Sequence, residues 1–120
     1  MIAHYDWPGG HEAMMRLGPA HGPVVVMAPA LFEEANRTRA FTLCVLRALA
    51  ARGIGSAFPD LPGMNESLFP LCRTTIDAWR TAFAAAVAAA SDHGARPAVV
   101  ASIRGGALLT GAAHAAGRWQ

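Results

Sequence analysis

The sequence predicts an α/β fold in three layers, with a mostly parallel sheet covered by helices on both faces. Two observations lead to this prediction. Short continuous apolar runs, without the two-residue alternation of half-exposed strands, alternate with segments of helical periodicity. Strands separated by helices in this way are joined by right-handed crossovers and lie parallel. In addition, a hairpin pattern at the N-terminus predicts two antiparallel strands at one edge of the sheet.

The predicted elements follow one another in the order β-β-β-α-β-α-β-α. A Gly-rich turn, Pro8–Gly10, joins the two hairpin strands. The predicted strands are Ile2–Trp7, Glu12–Leu17, Val24–Ala28, Ile54–Phe58 and Pro97–Ser102. The predicted helices are Thr38–Arg52, a second from a cap at Thr74 or Thr75 to Gly94, and Ala107–Ala116.

Apolar stripes predict which faces of the first two helices pack against the sheet. In the first helix the apolar positions at helical spacing are Phe41, Cys44, Val45, Ala48 and Leu49. In the second they are Ile76, Trp79, Phe83, Val87 and Ala90. We expect both sets to be buried, with Trp79 as a core residue.

Length and composition limit the function classes. A chain of 120 residues holds one small domain, and a sequence that is 53% hydrophobic and 15% charged is typical of a globular protein. The net charge of +2 comes from scattered arginines, which argues against a nucleic-acid partner. No signal-peptide pattern is visible, and no apolar run approaches the roughly 20 residues of a spanning helix. We therefore expect a cytoplasmic protein without a membrane span.

The sequence predicts neither a metal site nor a cofactor. Its five histidines form no i,i+4 pair and no cluster with carboxylates. The glycines near residue 105 lack the dinucleotide fingerprint, which argues against a Rossmann-like nucleotide binder. Cys44 and Cys72 do not have the spacing of a redox or zinc motif, so we expect free thiols.

The turn after the last predicted strand has the pattern of a nucleophile elbow, a strained strand–turn–helix junction. The residues two before and two after its nucleophile must be small, because the turn is crowded. Ser102 and Gly106 satisfy this rule and place Arg104 at the apex. Making Ser102 the nucleophile would put Val100 and Arg104 at the crowded positions. Because a guanidinium stays protonated and has no nucleophilic lone pair, no catalytic residue is assigned, and Arg104 is expected to bind or fill a pocket.

A second candidate segment, Ala30–Arg39, follows the first predicted parallel strand, at the edge where open α/β sheets build their sites. Its acidic residues precede its basic ones, which is also typical of a solvated helix start. The candidate binding residues at this edge are Leu31, Glu33, Glu34, Arg104 and Gly105.

The third segment, Asp60–Ser67, is predicted to be a structural loop. Asp60 is expected to form a turn by bonding within its own loop, rather than to act as a catalytic acid. Gly63 and Asn65 provide flexible positions, since both residue types tolerate left-handed backbone angles.

Together the three segments resemble the exosortase A system-associated hydrolases, bacterial proteins of the α/β-hydrolase fold encoded near exopolysaccharide and protein-sorting genes. The resemblance rests on E-E-x-N-R-x-R at Glu33–Arg39, D-L-P-G at Asp60–Gly63 and x-I-R-x-G-A-L-L at Ser102–Leu109. It implies an α/β-hydrolase-like sandwich in which the Ala30–Arg39 loop supplies an oxyanion-hole amide, and an elbow arginine is not foreign to that family. Such hydrolases place their acid and histidine after later strands, so the resemblance implies a chain truncated after the elbow helix.

Two interpretations remain open. In the first, residues 1–120 form a single partial hydrolase-like domain without a complete serine triad. In the second, the elbow is a non-catalytic cradle in which Arg104 holds a small anion or an acyl or sugar ligand. We expect Glu33 or Glu34 to pair with Arg104, because a buried unpaired cation is costly. The last strand leaves an open sheet edge, which we expect a missing C-terminal half or an oligomer partner to cover.

Overall fold

A computed structural model describes residues 1–65 and 67–110, which form a five-stranded mixed sheet between helices. The strands are β1 (Ile2–Trp7), β2 (Gly10–Leu17), β3 (Val24–Ala28), β4 (Gly55–Pro59) and β5 (Ala98–Ser102). The helices are α1 (Glu33–Ala51) and α2 (Ile76–Ala90), with short 3₁₀ turns at Leu71–Arg73 and Arg104–Gly106. Residues 107–110 are helical, and the remainder of the predicted helix Ala107–Ala116 lies outside the described residues.

The strand order is β1-β2-β4-β3-β5. Strand β3 is parallel to both β4 and β5, whereas the β1–β2 hairpin is antiparallel and joins the sheet through β2 and β4. This confirms the predicted α/β class, the parallel strands and the hairpin at one edge. Strand β5 lies at the opposite end of the sheet, and Val99 on it is 47% exposed.

The sheet separates two hydrophobic clusters, because the side chains of β3 alternate between its faces. Val24, Val26 and Ala28 belong to the larger cluster, which includes the buried face of α2. Met27 belongs to the smaller cluster, together with Leu46 of α1. The continuous apolar run of β3 therefore reflects burial on both faces, as the sequence predicts.

Helix α1 differs from its prediction in both its start and its buried face. It begins at Glu33, five residues before the predicted Thr38, and its first turn carries Glu33 and Glu34, where the helix dipole favours negative charge. The predicted apolar stripe is wrong: Phe41 is 66% exposed, whereas Thr42 and Leu46 are buried. A face that includes Leu46 has the same helical spacing, and packing against β3 and β4 decides between the two faces.

Helix α2 confirms its predicted cap and face. The Thr75 hydroxyl accepts a hydrogen bond from the Ala78 amide at 3.0 Å, and Ile76 is the first helical residue. Trp79, like Phe83, Val87 and Ala90 of the predicted stripe, is buried, while Ile76 is partly buried. At the other end Arg16 of β2 donates to the Ala90 carbonyl at 3.0 Å, so the hairpin side of the sheet holds the helix terminus.

Strand bounds differ from the predictions by one or two residues. Strand β2 begins at Gly10 instead of Glu12, so the hairpin loop contains only Pro8 and Gly9. Strand β4 is shifted by one residue, to Gly55–Pro59. Such differences are expected where turn residues continue the strand hydrogen bonding for one more pair.

The structure also buries an arginine to which the sequence pattern assigns no role. Arg96 is 6% exposed and lies between α2 and β5, at the edge of the sheet opposite the elbow. Its guanidinium donates to main-chain carbonyls at 2.8–3.4 Å. These carbonyls belong to Pro19, His21, Gly22 and Pro23. Arg96 thus anchors the loop between β2 and β3 through polar groups that would otherwise lack partners.

Tyr5 gives the fold a testable dependence on alkaline pH. Its hydroxyl is buried and donates to the Asp60 carbonyl at 2.6 Å. Burial raises the pKa of Tyr5 far above its usual value, and the charges of Glu12 and Asp60 raise it further. In the unfolded chain the phenol ionises near its usual pKa of about 10. The free energy of unfolding should therefore be unaffected by Tyr5 below that pH and fall above it by up to about 1.4 kcal/mol per pH unit.

Tyr5 is the only tyrosine of the sequence, so phenolate absorbance reports on it alone. We expect phenolate absorbance and loss of helical circular dichroism to appear in one transition above about pH 10. The Tyr5→Phe variant should show a shallower alkaline loss of stability in urea titrations. Ionisation of Tyr5 near its usual pKa while the circular dichroism stays native would contradict its burial.

Candidate functional site

The main chain after β5 has two features that agree with the predicted elbow register. Strand β5 ends at Ser102, and Arg104 follows with φ of 50°, a left-handed angle that is uncommon for residues other than glycine. A Cβ atom on Gly106 would lie 2.5 Å from the Pro29 carbonyl oxygen and 2.8 Å from that of Ala28. These are main-chain atoms that cannot move aside. Residue 106 therefore has no room for a side chain, as the predicted register requires of the residue two positions after an apex at Arg104.

The loop between β3 and α1 faces the elbow and is strained as well. Phe32, the N-cap of α1, has φ of 58° and ψ of −137°, a conformation that is a genuine outlier for a bulky residue. Next to it, the buried side chain of Leu31 approaches the elbow so closely that a Cβ on Gly105 would lie 3.3 Å from its Cγ. The structure therefore brings the predicted residues Leu31 and Gly105 into contact.

The side chain of Arg104 forms an ion pair with Glu34, one of its two expected partners. The pair is open to solvent: Arg104 is 69% exposed and Glu34 is 47% exposed. The expectation of a buried cation is wrong, because Arg104 is at the edge of the sheet, above β5, where solvent reaches it. Glu33 instead pairs with Arg37, one helical turn along α1, at 3.2 Å.

Charged residues line an open cleft beside the elbow. Its volume is about 420 Å³. The lining residues are Glu33, Glu34, Arg37, Thr38 and Arg104. Because two carboxylates face two guanidinium groups, the formal charge of the lining is balanced.

The predicted structural loop lies at the carboxyl end of β4, on the far side of β3 from the elbow. The Asp60 carboxylate accepts hydrogen bonds from the Asn65 side-chain amide at 3.2 Å to each oxygen. Asn65 and Gly63 both have left-handed φ angles, 47° and 80°. The Gly63 amide donates to the Ser67 hydroxyl at 2.9 Å. The Asp60 carboxylate thus bonds to an amide of its own loop, which agrees with the turn-forming interpretation.

Arg39, which the sequence analysis includes in a candidate segment without assigning it a role, lies beside this loop. Its Nη1 is 3.9 Å from Asp60 Oδ1, and its guanidinium carbon lies 5.4 Å from the centre of the Phe58 ring. The two side chains border a cavity of about 270 Å³ between the β3–α1 and β4–α2 loops. One pattern in the sequence indicates that Arg39 and Asp60 are neighbours. Arg39 is in the first turns of a helix that begins at the carboxyl edge of the sheet, and Asp60 follows β4 at the same edge.

Trp79 of α2 connects the two site loops. Its indole Nε1 donates to the Pro62 carbonyl at 2.8 Å, in the loop after β4. Its ring packs against Phe32 of the loop after β3, with ring centres 5.1 Å apart. The predicted core residue therefore also positions the strained N-cap of α1.

Within residues 1–65 and 67–110, no three His, Cys, Asp or Glu side chains are grouped so that they could hold a metal ion. Over the same residues, no helix is both long and apolar enough to span a bilayer.

Solved structures share this fold. The chain superposes on an epoxide hydrolase from an endophytic Streptomyces with a TM-score of 0.70 and 24% identity, over 99% of this chain and 34% of that one. It matches an epoxide hydrolase from Vigna radiata with a TM-score of 0.69 and 21% identity, over 92% of this chain and 33% of that one. A serine hydrolase homologue from Coxiella burnetii matches with a TM-score of 0.70 and 14% identity, over 96% and 57% of the two chains. The fold is that of the α/β-hydrolases.

At these identities the likeness concerns the fold alone. The chain spans about a third of the length of the two epoxide hydrolases, so it corresponds to part of an α/β-hydrolase core. No family model and no curated protein matches the sequence. The affiliation with the exosortase A-associated hydrolases therefore rests on the three segments of the sequence and stays a prediction.

The elbow register can be tested with two adjacent glycines. Gly106→Ala should destabilise the protein by about 1–3 kcal/mol, because its Cβ would collide with fixed carbonyl oxygens. Gly105→Ala is the matched control, and we expect a smaller loss, since its Cβ would meet only the movable Leu31 side chain. Urea unfolding of the two variants gives the comparison. Equal losses, or a larger loss for Gly105→Ala, would contradict the register.

Proposed function

We propose that this chain is the elbow-bearing part of an α/β-hydrolase-fold protein that binds a small acyl or carboxylate-bearing ligand at the elbow, without a covalent acyl intermediate. The observation that carries the proposal is the left-handed Arg104 at the apex, followed two residues later by a glycine with no room for a side chain. In serine hydrolases of this fold, the apex residue is the nucleophile. At the proposed apex, residue 104 has the left-handed φ angle, but its side chain is a guanidinium.

The chemistry of the two residue types supports binding rather than nucleophilic attack. Acyl transfer through the apex requires a lone pair on the attacking atom, and a protonated guanidinium has none. A guanidinium does present a planar set of donors that matches a carboxylate in a bidentate way. Ser102 is the last residue of β5, two positions before Arg104 in the sequence.

Glu34 acts in this proposal as an internal competitor for the ligand. Its carboxylate already occupies the Arg104 guanidinium, as the carboxylate of a ligand would. Because the two partners are 69% and 47% exposed, water screens their attraction and exchange for another carboxylate costs little. We therefore expect the elbow to bind a carboxylate ligand weakly until Glu34 is displaced from Arg104.

A more specific version of the proposal is that the protein is related to the exosortase A-associated hydrolases. It is supported by the E-E-x-N-R-x-R, D-L-P-G and x-I-R-x-G-A-L-L segments, and it implies an exopolysaccharide context. The coding sequence downstream of Gln120 provides a test. An acidic residue and a histidine, each after a further strand–helix unit, would favour a hydrolase, whereas their absence would favour a binding module.

The absence of a nucleophile at the apex predicts no covalent turnover of simple esters. With p-nitrophenyl acetate we expect no burst of product, and a steady rate equal to that of the Ser102→Ala variant. A serine esterase assayed in parallel provides the positive control for the burst. A stoichiometric burst that Ser102→Ala abolishes would show that Ser102 is the nucleophile and that the proposal is wrong.

Two further variants test the role of Arg104. Arg104→Ala should change the free energy of unfolding by less than about 1 kcal/mol, because its ion pair is exposed. Added acetate or malate should raise the melting temperature of Glu34→Gln more than that of the parent, and should not raise that of Arg104→Ala. Asp77→Asn, which removes another exposed carboxylate, is the matched control and should behave as the parent does. Equal shifts of the melting temperature in all four proteins would show that the elbow does not bind these anions.

A further inference from the structure

The cleft beside the elbow, named here the elbow cleft, is lined by charged side chains and one hydroxyl. Its volume of about 420 Å³ is within the range of small-molecule sites, about 300–1,000 Å³. The lining residues are Glu33, Glu34, Arg37, Thr38 and Arg104. A long apolar chain would gain little in this cleft, because none of the five offers an apolar side chain for it to pack against. The lining therefore favours a small polar ligand.

Two ion pairs divide the four charges of the elbow cleft. Glu33 Oε1 lies 3.2 Å from Arg37 Nη2, and both residues belong to one turn of α1. A pair at this spacing depends on the helix alone and persists whatever binds at the elbow. Glu34, by contrast, pairs with Arg104 across the gap between the start of α1 and the turn after β5. This second pair can open without a change in the helix.

Exchange of Glu34 for a ligand carboxylate on Arg104 leaves one charge of the cleft without a partner. That charge is the carboxylate of Glu34 itself, because Glu33 keeps Arg37. Glu34 is the second residue of α1, so the main chain keeps its carboxylate near the ligand. Two carboxylates so close repel each other, and a simple monocarboxylate has nothing to offset the repulsion. A ligand that also carries an ammonium group leaves no charge of the cleft unpaired.

We propose that the elbow cleft binds small amino acids in preference to simple carboxylates. The class comprises α- and β-amino acids, whose ammonium group is on the first or second carbon from the carboxylate. The inference rests on the proposed function, because it requires Arg104 to hold the carboxylate. The ligand inserts into the present ion pair: its carboxylate binds the Arg104 guanidinium, and its ammonium group binds the Glu34 carboxylate. Glu34 is thus a competitor of simple carboxylates and a partner of amino acids.

The exposure of the two partners determines how large the preference should be. Arg104 is 69% exposed and Glu34 is 47% exposed, so water screens both new ion pairs. An ion pair of this kind changes affinity by about twofold to fivefold. The preference should also decline as salt is added, since dissolved ions screen exposed charges further.

The experiment titrates isotopically labelled protein with four small probes and follows backbone amide shifts by NMR. L-Alanine and β-alanine carry both charges, propionate lacks the ammonium group, and ethylamine lacks the carboxylate. We expect saturable shifts at Thr38, Arg104 and the adjacent Gly105 at low ionic strength. One or both of the alanines should bind about twofold to fivefold more tightly than propionate or ethylamine, and 1 M sodium chloride should reduce this ratio toward one.

Three variants identify the groups responsible. Glu34→Gln should bind propionate more tightly than the parent does, because the competitor is gone, and the alanines should lose their advantage over propionate. Asp77→Asn removes a carboxylate that is 94% exposed on α2, outside the cleft, and should keep the preference of the parent. Arg104→Ala should bind none of the three carboxylate probes at the elbow.

The outcomes separate this inference from the proposed function. Propionate that binds the parent as tightly as both alanines do, or a preference that survives Glu34→Gln, would overturn the inference and leave Arg104 as a carboxylate site. Carboxylate probes that shift no amide of the parent, or that bind Arg104→Ala as tightly as the parent, would contradict the proposed function and the inference with it.

Discussion

Strand β3 hydrogen-bonds to a parallel neighbour on each side, with Val24 in register with Gly55 of β4 and with Ala98 of β5. Parallel strands in register end at one edge of the sheet, so the loops after β3, β4 and β5 meet there. The elbow, the strained loop at Phe32 and the loop at Asp60 are these three strand ends. Without the central position of β3, residues from distant parts of the sequence would not share an edge.

Main-chain contacts and the buried indole of Trp79 then determine how far apart the loops at that edge lie. Gly106 approaches the carbonyls of Ala28 and Pro29 so closely that residue 106 has no room for a side chain. Trp79 holds the other side through its hydrogen bond to Pro62 and its contact with Phe32. The left-handed angles of Phe32 and Arg104 are unfavourable by themselves, so the surrounding structure has to offset their cost.

Three arginines of this molecule show how position determines the role of one residue type. Arg96 is buried and satisfied by main-chain carbonyls, so it stabilises a loop. Arg104 is exposed and pairs with Glu34, so its attraction is screened and its partner is exchangeable. Arg39 lies between these cases, partly buried beside Asp60 and over Phe58. A guanidinium is charged in all three places, and the groups around it decide whether it supports the fold or is available for a ligand.

The sequence by itself determined the elements and the elbow, because these depend on local periodicity and on steric rules for a few neighbouring residues. The apolar run of β3, the Thr75 cap and the small residue at Gly106 are examples. Only the tertiary structure decided which face of α1 is buried, since Phe41 and Leu46 belong to stripes of equal spacing and the sheet selects one. It also decided the partners of Arg39, Arg96 and Arg104. Those partners lie up to 77 residues away in the chain, and a long charged side chain carries no local pattern that identifies them.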